Sequence, residues 1–115
     1  MKILVMRPSP VGEELVKNLN NIGIPAWHFA LFDFYPSFSS ISLSKKINEL
    51  YKSNIILVFS KQAVYYTNIY LINNNLTWPT GPRYYAIGKK TAFLLYKTIK
   101  KKLFFLKTKK IVKVY

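Results

Sequence analysis

The sequence predicts an α/β fold with a mostly parallel sheet built from βαβ units. Three observations predict it. Short apolar runs rich in branched residues alternate with apolar stripes at helical spacing. Clusters of Pro, Gly, Ser and Asn separate the two kinds of segment. The run Ile55-Ile56-Leu57-Val58-Phe59 is apolar without alternation, as in strands buried on both faces of a parallel sheet. Strands alternating with helices give a parallel sheet joined by right-handed crossovers.

Lys2–Met6 is the first strand, and Arg7-Pro8-Ser9-Pro10 cannot continue it, because proline removes ladder donors. Leu15, Val16, Leu19 and Ile22 then form a helical stripe. Glu13 and Glu14 fall in its first turn, where the helix dipole favours carboxylates, and Gly23 stops it. Residues 24–30 read as a second strand, paired in parallel with the first and continued by large apolar residues to Tyr35. Pro36-Ser37-Phe38-Ser39-Ser40 is a composition break and the expected linker.

Leu43, Ile47, Leu50 and Tyr51 mark the next helix, and Asn54 leads into the strand 55–59. Ser60 is the expected N-cap of a helix over 61–71, ended by Asn73-Asn74-Asn75. Trp78-Pro79-Thr80-Gly81-Pro82 is a loop, Tyr84–Ile87 a fourth strand, Gly88 a tight turn, and Lys89–Ile99 a fourth helix. Leu103–Leu106 is read as a fifth strand.

Composition narrows the chemistry. Of 115 residues half are hydrophobic, so a core can form. The absence of cysteine excludes disulfides, thiolate zinc sites and a cysteine nucleophile. A single histidine, His28, excludes paired-histidine metal motifs, and its apolar strand setting reads as structural. No metal and no cofactor are expected. Neither a glycine-rich nucleotide fingerprint nor a Gly-x-Ser-x-Gly elbow is present. No apolar run approaches the ~20 residues of a membrane span, and a cytoplasmic monomer is expected.

The net charge is +14, and it is uneven. Residues 1–88 carry eight Lys/Arg and all four acids, a net +4, whereas residues 89–115 carry ten lysines and no acid, a net +10. Such an end fits nucleic acid, an anionic membrane or an acidic ligand. It also fits mutational bias, because Lys, Asn, Ile, Tyr and Phe, whose codons are A/T-rich, make up 54 of the 115 residues.

In parallel sheets ligands bind outside the carboxyl ends of the strands. Three such ends open into helix N-termini, which suit carboxylate or phosphate. Arg7 stands at the first, Ser60 and Lys61 at the second, Lys89 and Thr91 at the third. Plainer readings stand beside these: Ser60 as an ordinary cap, Gly88 as a positive-φ turn, the lysines as solvated charges, Arg7 as half of a structural ion pair. A site built this way works by positioning and electrostatics rather than by a strong acid, base or nucleophile.

Four blocks then resemble one family, the bacterial uroporphyrinogen-III synthases. Ile3-Leu4-Val5-Met6-Arg7-Pro8 resembles their opening "ILVTRP" strand. Residues 26–34 resemble "HLPLIEF", Phe59-Ser60-Lys61-Gln62-Ala63-Val64 resembles "FTSANAV", and Trp78-Pro79 with residues 84–92 resembles "WP…YFAIGEATA". The blocks keep their order and cover about residues 1–106. The resemblance implies an enzyme that takes the acidic linear tetrapyrrole hydroxymethylbilane, expels water, inverts the last ring and closes the macrocycle. It implies two α/β domains facing across a cleft and no cofactor. It also implies that ligand carboxylates are held by strand-end N–H groups and hydroxyls. Arg7, Ser60, Gln62, Gly88 and Thr91 fall on matching motif positions and are the expected substrate-binding residues; no catalytic residue is assigned.

The departures shape the expectation. Met6 stands where the family has Thr, and Lys61-Gln62 where Ala-Asn is common. The family's second half, with the tyrosine generally considered catalytic, has no counterpart. The expected division is residues 1–35 as the leading part of one domain, 36–106 as the leading part of an inserted second, and 107–115 as a basic tail. The expected fold is thus an incomplete two-domain form of the family fold, in a truncated chain whose activity is in question. The runner-up function is a small basic nucleic-acid-binding module using residues 89–115, and a third reading is a gene remnant. Of these partners the tetrapyrrole is favoured over nucleic acid.

Overall fold

A computed structural model of the chain describes residues 1–7, 11–29, 40–107 and 110–114. In chain order the elements are β1 (Ile3–Met6), α1 (Val11–Asn21), β2 (Ala26–His28), α2 (Ser40–Lys52), β3 (Ile55–Val58), α3 (Lys61–Asn73), β4 (Arg83–Ile87), α4 (Lys89–Ile99), β5 (Phe104–Lys107) and β6 (Lys110–Val114). They form one six-stranded sheet in the order β2-β1-β3-β4-β5-β6. The first five strands are parallel, and β6 returns antiparallel to β5.

Local chemistry ends the helices where the sequence places the stops. Gly23 adopts φ 86° and its N–H reaches the Asn20 carbonyl at 3.0 Å, while Ile24 N–H reaches Leu19 at 3.0 Å. Ile22, expected in the buried stripe of α1, lies beyond the helix and is 72 % exposed. Asn74 closes α3, two residues later than expected, and Lys100 closes α4 in the left-handed region with φ 52°. In α2, Ile47 and Leu50 of the expected stripe are buried, while Tyr51 is exposed. The linker 36–39, the continuation of the second strand over 30–35 and the boundary near residue 35 lie outside the described residues.

The expected parallel pairing of the first two strands is present, with Ile3 opposite Ala26 and Val5 opposite His28. On its other side β1 pairs with β3, Ile3 opposite Ile55 and Met6 opposite Val58. β1 and β2 therefore share their sheet with β3 to β6. Two strands and one helix bury too little apolar area to stand alone, and this pairing supplies the rest.

The main core lies on one face of the sheet. Leu4, Met6, Ile56, Val58, Tyr84, Ala86 and Phe105 pack there with Ile47 and Leu50 of α2, Ala63, Val64 and Leu71 of α3, and Ala92 and Leu95 of α4. The opposite face carries α1 over β1 and β2, where Val5 and Ala26 are buried. Farther along that face Ile55, Leu57, Tyr85, Ile87 and Phe104 are only half-buried, and the rings of Tyr85 and Phe104 stack at 4.9 Å. This corrects the expectation that residues 55–59 are buried on both faces: Ile56 and Val58 are, and their neighbours are not, because α2, α3 and α4 all pack on one side. A further difference is β6, a strand within the stretch read as a basic tail.

Candidate functional site

β1, β3 and β4 are adjacent and parallel, so their C-terminal ends open on one edge of the sheet. Arg7 follows β1, Phe59 and Ser60 follow β3, and Gly88 follows β4. The N-termini of α1, α3 and α4 begin on the same edge. The sequence expectation that these three ends converge is met by the register of the ladders, with the Phe59 N–H reaching the Met6 carbonyl at 3.1 Å.

Arg7 is half-buried, and its guanidinium carbon lies 4.7 Å from the centre of the Phe59 ring. A cation over a ring face gains about 0.5–1 kcal/mol at such a partly exposed place. The contact holds the charge across the β1–β3 junction, beside the residue that precedes Ser60. The Arg7 carbonyl accepts a hydrogen bond from His28 Nε2 at 2.6 Å. The other ring nitrogen faces the Glu13 carboxylate at 3.9 Å. Glu13 is a carboxylate on this edge, and it turns to His28.

Ser60 is extended, with φ −144° and ψ 150°, and its hydroxyl accepts from Ala63 N–H at 3.1 Å. This is the N-cap of the plain reading. A hydroxyl that accepts still has a proton to donate, so the cap leaves Ser60 able to bind an anion. Gln62 is exposed in the first turn of α3. Gly88 has φ 98° and ψ 136°, a conformation that favours glycine, and a Cβ there would meet only Thr91 Oγ1 at 3.9 Å. Glycine is thus required by the backbone and not by crowding. Thr91 is 7 % exposed in the first turn of α4.

The edge therefore presents a guanidinium, a hydroxyl and helix N-termini. Such a set binds and orients anionic groups. Two residues that shape it escaped the sequence reading. Phe59 was legible as a strand end, but its contact with Arg7 depends on β1 and β3 being neighbours. Gly12, in the first turn of α1, has a steric role. A Cβ there would lie 2.5 Å from His28 Nε2 and 2.7 Å from Cδ2, and closer still to the Arg7 carbonyl. Among the described residues no helix is long and apolar enough to cross a membrane.

Comparison with known proteins gives a consistent answer. No protein-family model matches the chain, and no solved structure matches it significantly. Three curated relatives do match, all named uroporphyrinogen-III synthase. The one from Escherichia coli (strain K12) is 37% identical over 114 residues, covering 99% of this chain and 46% of the relative. Those from Salmonella typhimurium and Proteus mirabilis are 36% and 37% identical over 96 and 92 residues, covering 84% and 80% of this chain. They are covered over 39% and 46% of their own length, so the chain spans less than half of the relatives it matches. Over nearly its whole length, and less than half of theirs, the chain is similar to the uroporphyrinogen-III synthases.

Proposed function

We propose that the chain contributes the carboxylate-binding edge of a uroporphyrinogen-III synthase. The reaction is the dehydration, last-ring inversion and closure of hydroxymethylbilane, a step of tetrapyrrole synthesis in the cytoplasm. The observation that carries this reading is the 37% identity to the Escherichia coli relative across 99% of the chain. The three adjacent strand ends support it, because a ligand with many acetate and propionate groups needs many donors on one side. In this reading Arg7 takes a carboxylate with two parallel N–H donors. Ser60 and Gln62 donate beside it, and the Gly88–Thr91 turn offers main-chain N–H groups. The reading leaves the family's two-domain division, placed at about residue 35, to the whole synthase, since in this stretch β1 and β2 share one sheet with β3 to β6, and it calls for no metal or organic cofactor.

The substrate also cyclises unaided to the uninverted isomer. A synthase wins only by holding the bent ligand and its terminal ring to within ~1 Å while water is excluded. For these 115 residues alone we expect polycarboxylate binding with little inverted product. The test is fluorescence titration with uroporphyrin, followed by isomer analysis after incubation with hydroxymethylbilane. Affinity that falls in Arg7→Ala supports the assignment of the edge. Affinity that is absent, or indifferent to Arg7→Ala, removes it. A product dominated by the III isomer shows that this stretch is sufficient for catalysis.

A further inference from the structure

Beside the strand-end edge, α3 and α4 enclose an open groove of about 580 Å³, lined by Lys61, Lys89, Lys90, Phe93, Leu94 and Lys97. Its volume lies in the range of small-ligand sites, ~300–1,000 Å³. All four lysines are exposed, and no Asp or Glu follows Glu49 in the sequence, so neither helix carries a countercharge. Ammonium groups gathered round one groove repel one another until an anion joins them.

The aromatic residues are placed to match. Lys89, Phe93 and Lys97 are four residues apart along α4 and so lie on one face; Lys61 and Tyr65 have the same spacing on α3. Phe93 is 56 % exposed and Tyr65 58 % exposed, and the Lys97 ammonium lies 5.2 Å from the Phe93 ring centre. Cation and ring therefore alternate along one face of α4, and Lys61 and Tyr65 repeat the spacing once on α3, with Tyr65 one turn beyond the groove lining. Large exposed rings cost hydration free energy unless a ligand covers them.

We propose that this groove binds single-stranded nucleic acid, with the lysines on phosphates and Phe93 and Tyr65 under bases. Phosphates spaced along a chain and separated by flat bases fit a cation–ring alternation. An acidic peptide offers the charges without the flat faces, which is why nucleic acid is favoured over it. The groove borders the proposed synthase edge and shares Lys89 and Lys90 with its Gly88–Thr91 turn, but it uses neither Arg7 nor Ser60, so the response to Arg7→Ala separates the two readings.

The test is fluorescence anisotropy of the full chain with a labelled oligo(dT) strand at several salt concentrations. A lysine-rich chain binds nucleic acid weakly wherever its charges lie, so a charge-matched control decides. The groove variant is Lys61→Gln/Lys89→Gln/Lys97→Gln, and the control is Lys17→Gln/Lys45→Gln/Lys52→Gln, all at exposed positions. The groove variant is expected to weaken binding about tenfold more than the control and to flatten the salt dependence. Phe93→Ala is expected to weaken it about fivefold or more with the salt slope unchanged. Equal losses in the two triple variants, an indifferent Phe93→Ala, or a duplex of the same length binding as tightly as the single strand each overturn the proposal. So does uroporphyrin displacing the strand from the groove while Arg7→Ala leaves that displacement unchanged, because the groove then belongs to the tetrapyrrole.

Discussion

His28 and Arg7 are tied across the end of the sheet: the imidazole Nε2–H donates to the Arg7 main-chain carbonyl at 2.6 Å. His28 is the last residue of β2, and Arg7 is the first after β1. The bond therefore fixes the exit of β1 at the place where the guanidinium turns toward Phe59. Gly12 lets it form, since α1 approaches this pair without a side chain between them.

Gly12→Ala is expected to destabilise the fold by about 1–3 kcal/mol, the usual cost of overpacking. The added methyl would press on the Arg7 carbonyl and the His28 ring, neither of which is the loose end of a flexible chain. Gly81→Ala is the control: nothing lies within 4 Å of the added carbon. Urea unfolding should show a large loss for the first and little change for the second. Equal midpoints for the two would contradict the close approach of α1.

Ser60 separates capping from anion binding. Ser60→Ala removes the acceptor for the Ala63 N–H, found at 3.1 Å, and should cost about 1 kcal/mol. Ser60→Asp keeps an acceptor at the cap and should hold stability near wild type. It also places a carboxylate on the edge, so uroporphyrin affinity should fall. An affinity that survives Ser60→Asp would leave Ser60 with the cap alone.

Thr67 lies on the inner face of α3, 1 % exposed, and its Oγ1 has no hydrogen-bond partner among the described residues. A buried hydroxyl without a partner costs about 1–3 kcal/mol of desolvation. Thr67→Val keeps the shape and removes that cost, so an increase in stability of about 1 kcal/mol is expected. The urea midpoint should rise, and a fall would show that the hydroxyl is satisfied in solution.

Tyr84 is 1 % exposed, and its hydroxyl donates to the Pro79 carbonyl at 2.5 Å. Burial, and then the nearby Tyr51 phenol, raise its pKa well above the ordinary tyrosine value. Above about pH 10 the unfolded chain loses this proton while the folded chain keeps it. The folded state then binds more protons than the unfolded one, so stability falls as pH rises. Tyr84→Phe should lower stability by about 1 kcal/mol near neutrality, by leaving the Pro79 carbonyl unpaired, and should lessen the alkaline decline. Unfolding curves from pH 8 to 11 check both effects. An unaltered alkaline slope in the variant would assign the decline to other groups.

Much of the molecule is legible in the sequence. Gly23, the expected helix stop, and Gly88, the expected tight turn, have φ values of 86° and 98°, and Ser60, the expected cap, accepts from Ala63. These are decisions of one residue and its neighbours, so composition at that point suffices. The strand-end residues were also legible, because the chain order strand–loop–helix repeats at each. Ile22 misled, since its spacing continued a stripe that Gly23 cuts off. The strand at Lys110–Val114 was hidden by its lysines, which read as a solvated end.

By itself the sequence determined the kind of every element before β6, the ends of the helices to within about two residues, and which residues stand where strands give way to helices. Apolar period and turn chemistry act over a few residues, and those features ask for nothing more. Tertiary structure alone decided that β1 lies between β2 and β3, and so that Arg7 reaches Phe59 rather than solvent. It also decided that Lys61 and Lys97 border one groove, and that one face of β3 is less covered than the other. Strands 52 residues apart, Ile3 opposite Ile55, choose each other by the helices that must pack behind them. That choice depends on the whole core at once, and no local pattern encodes it.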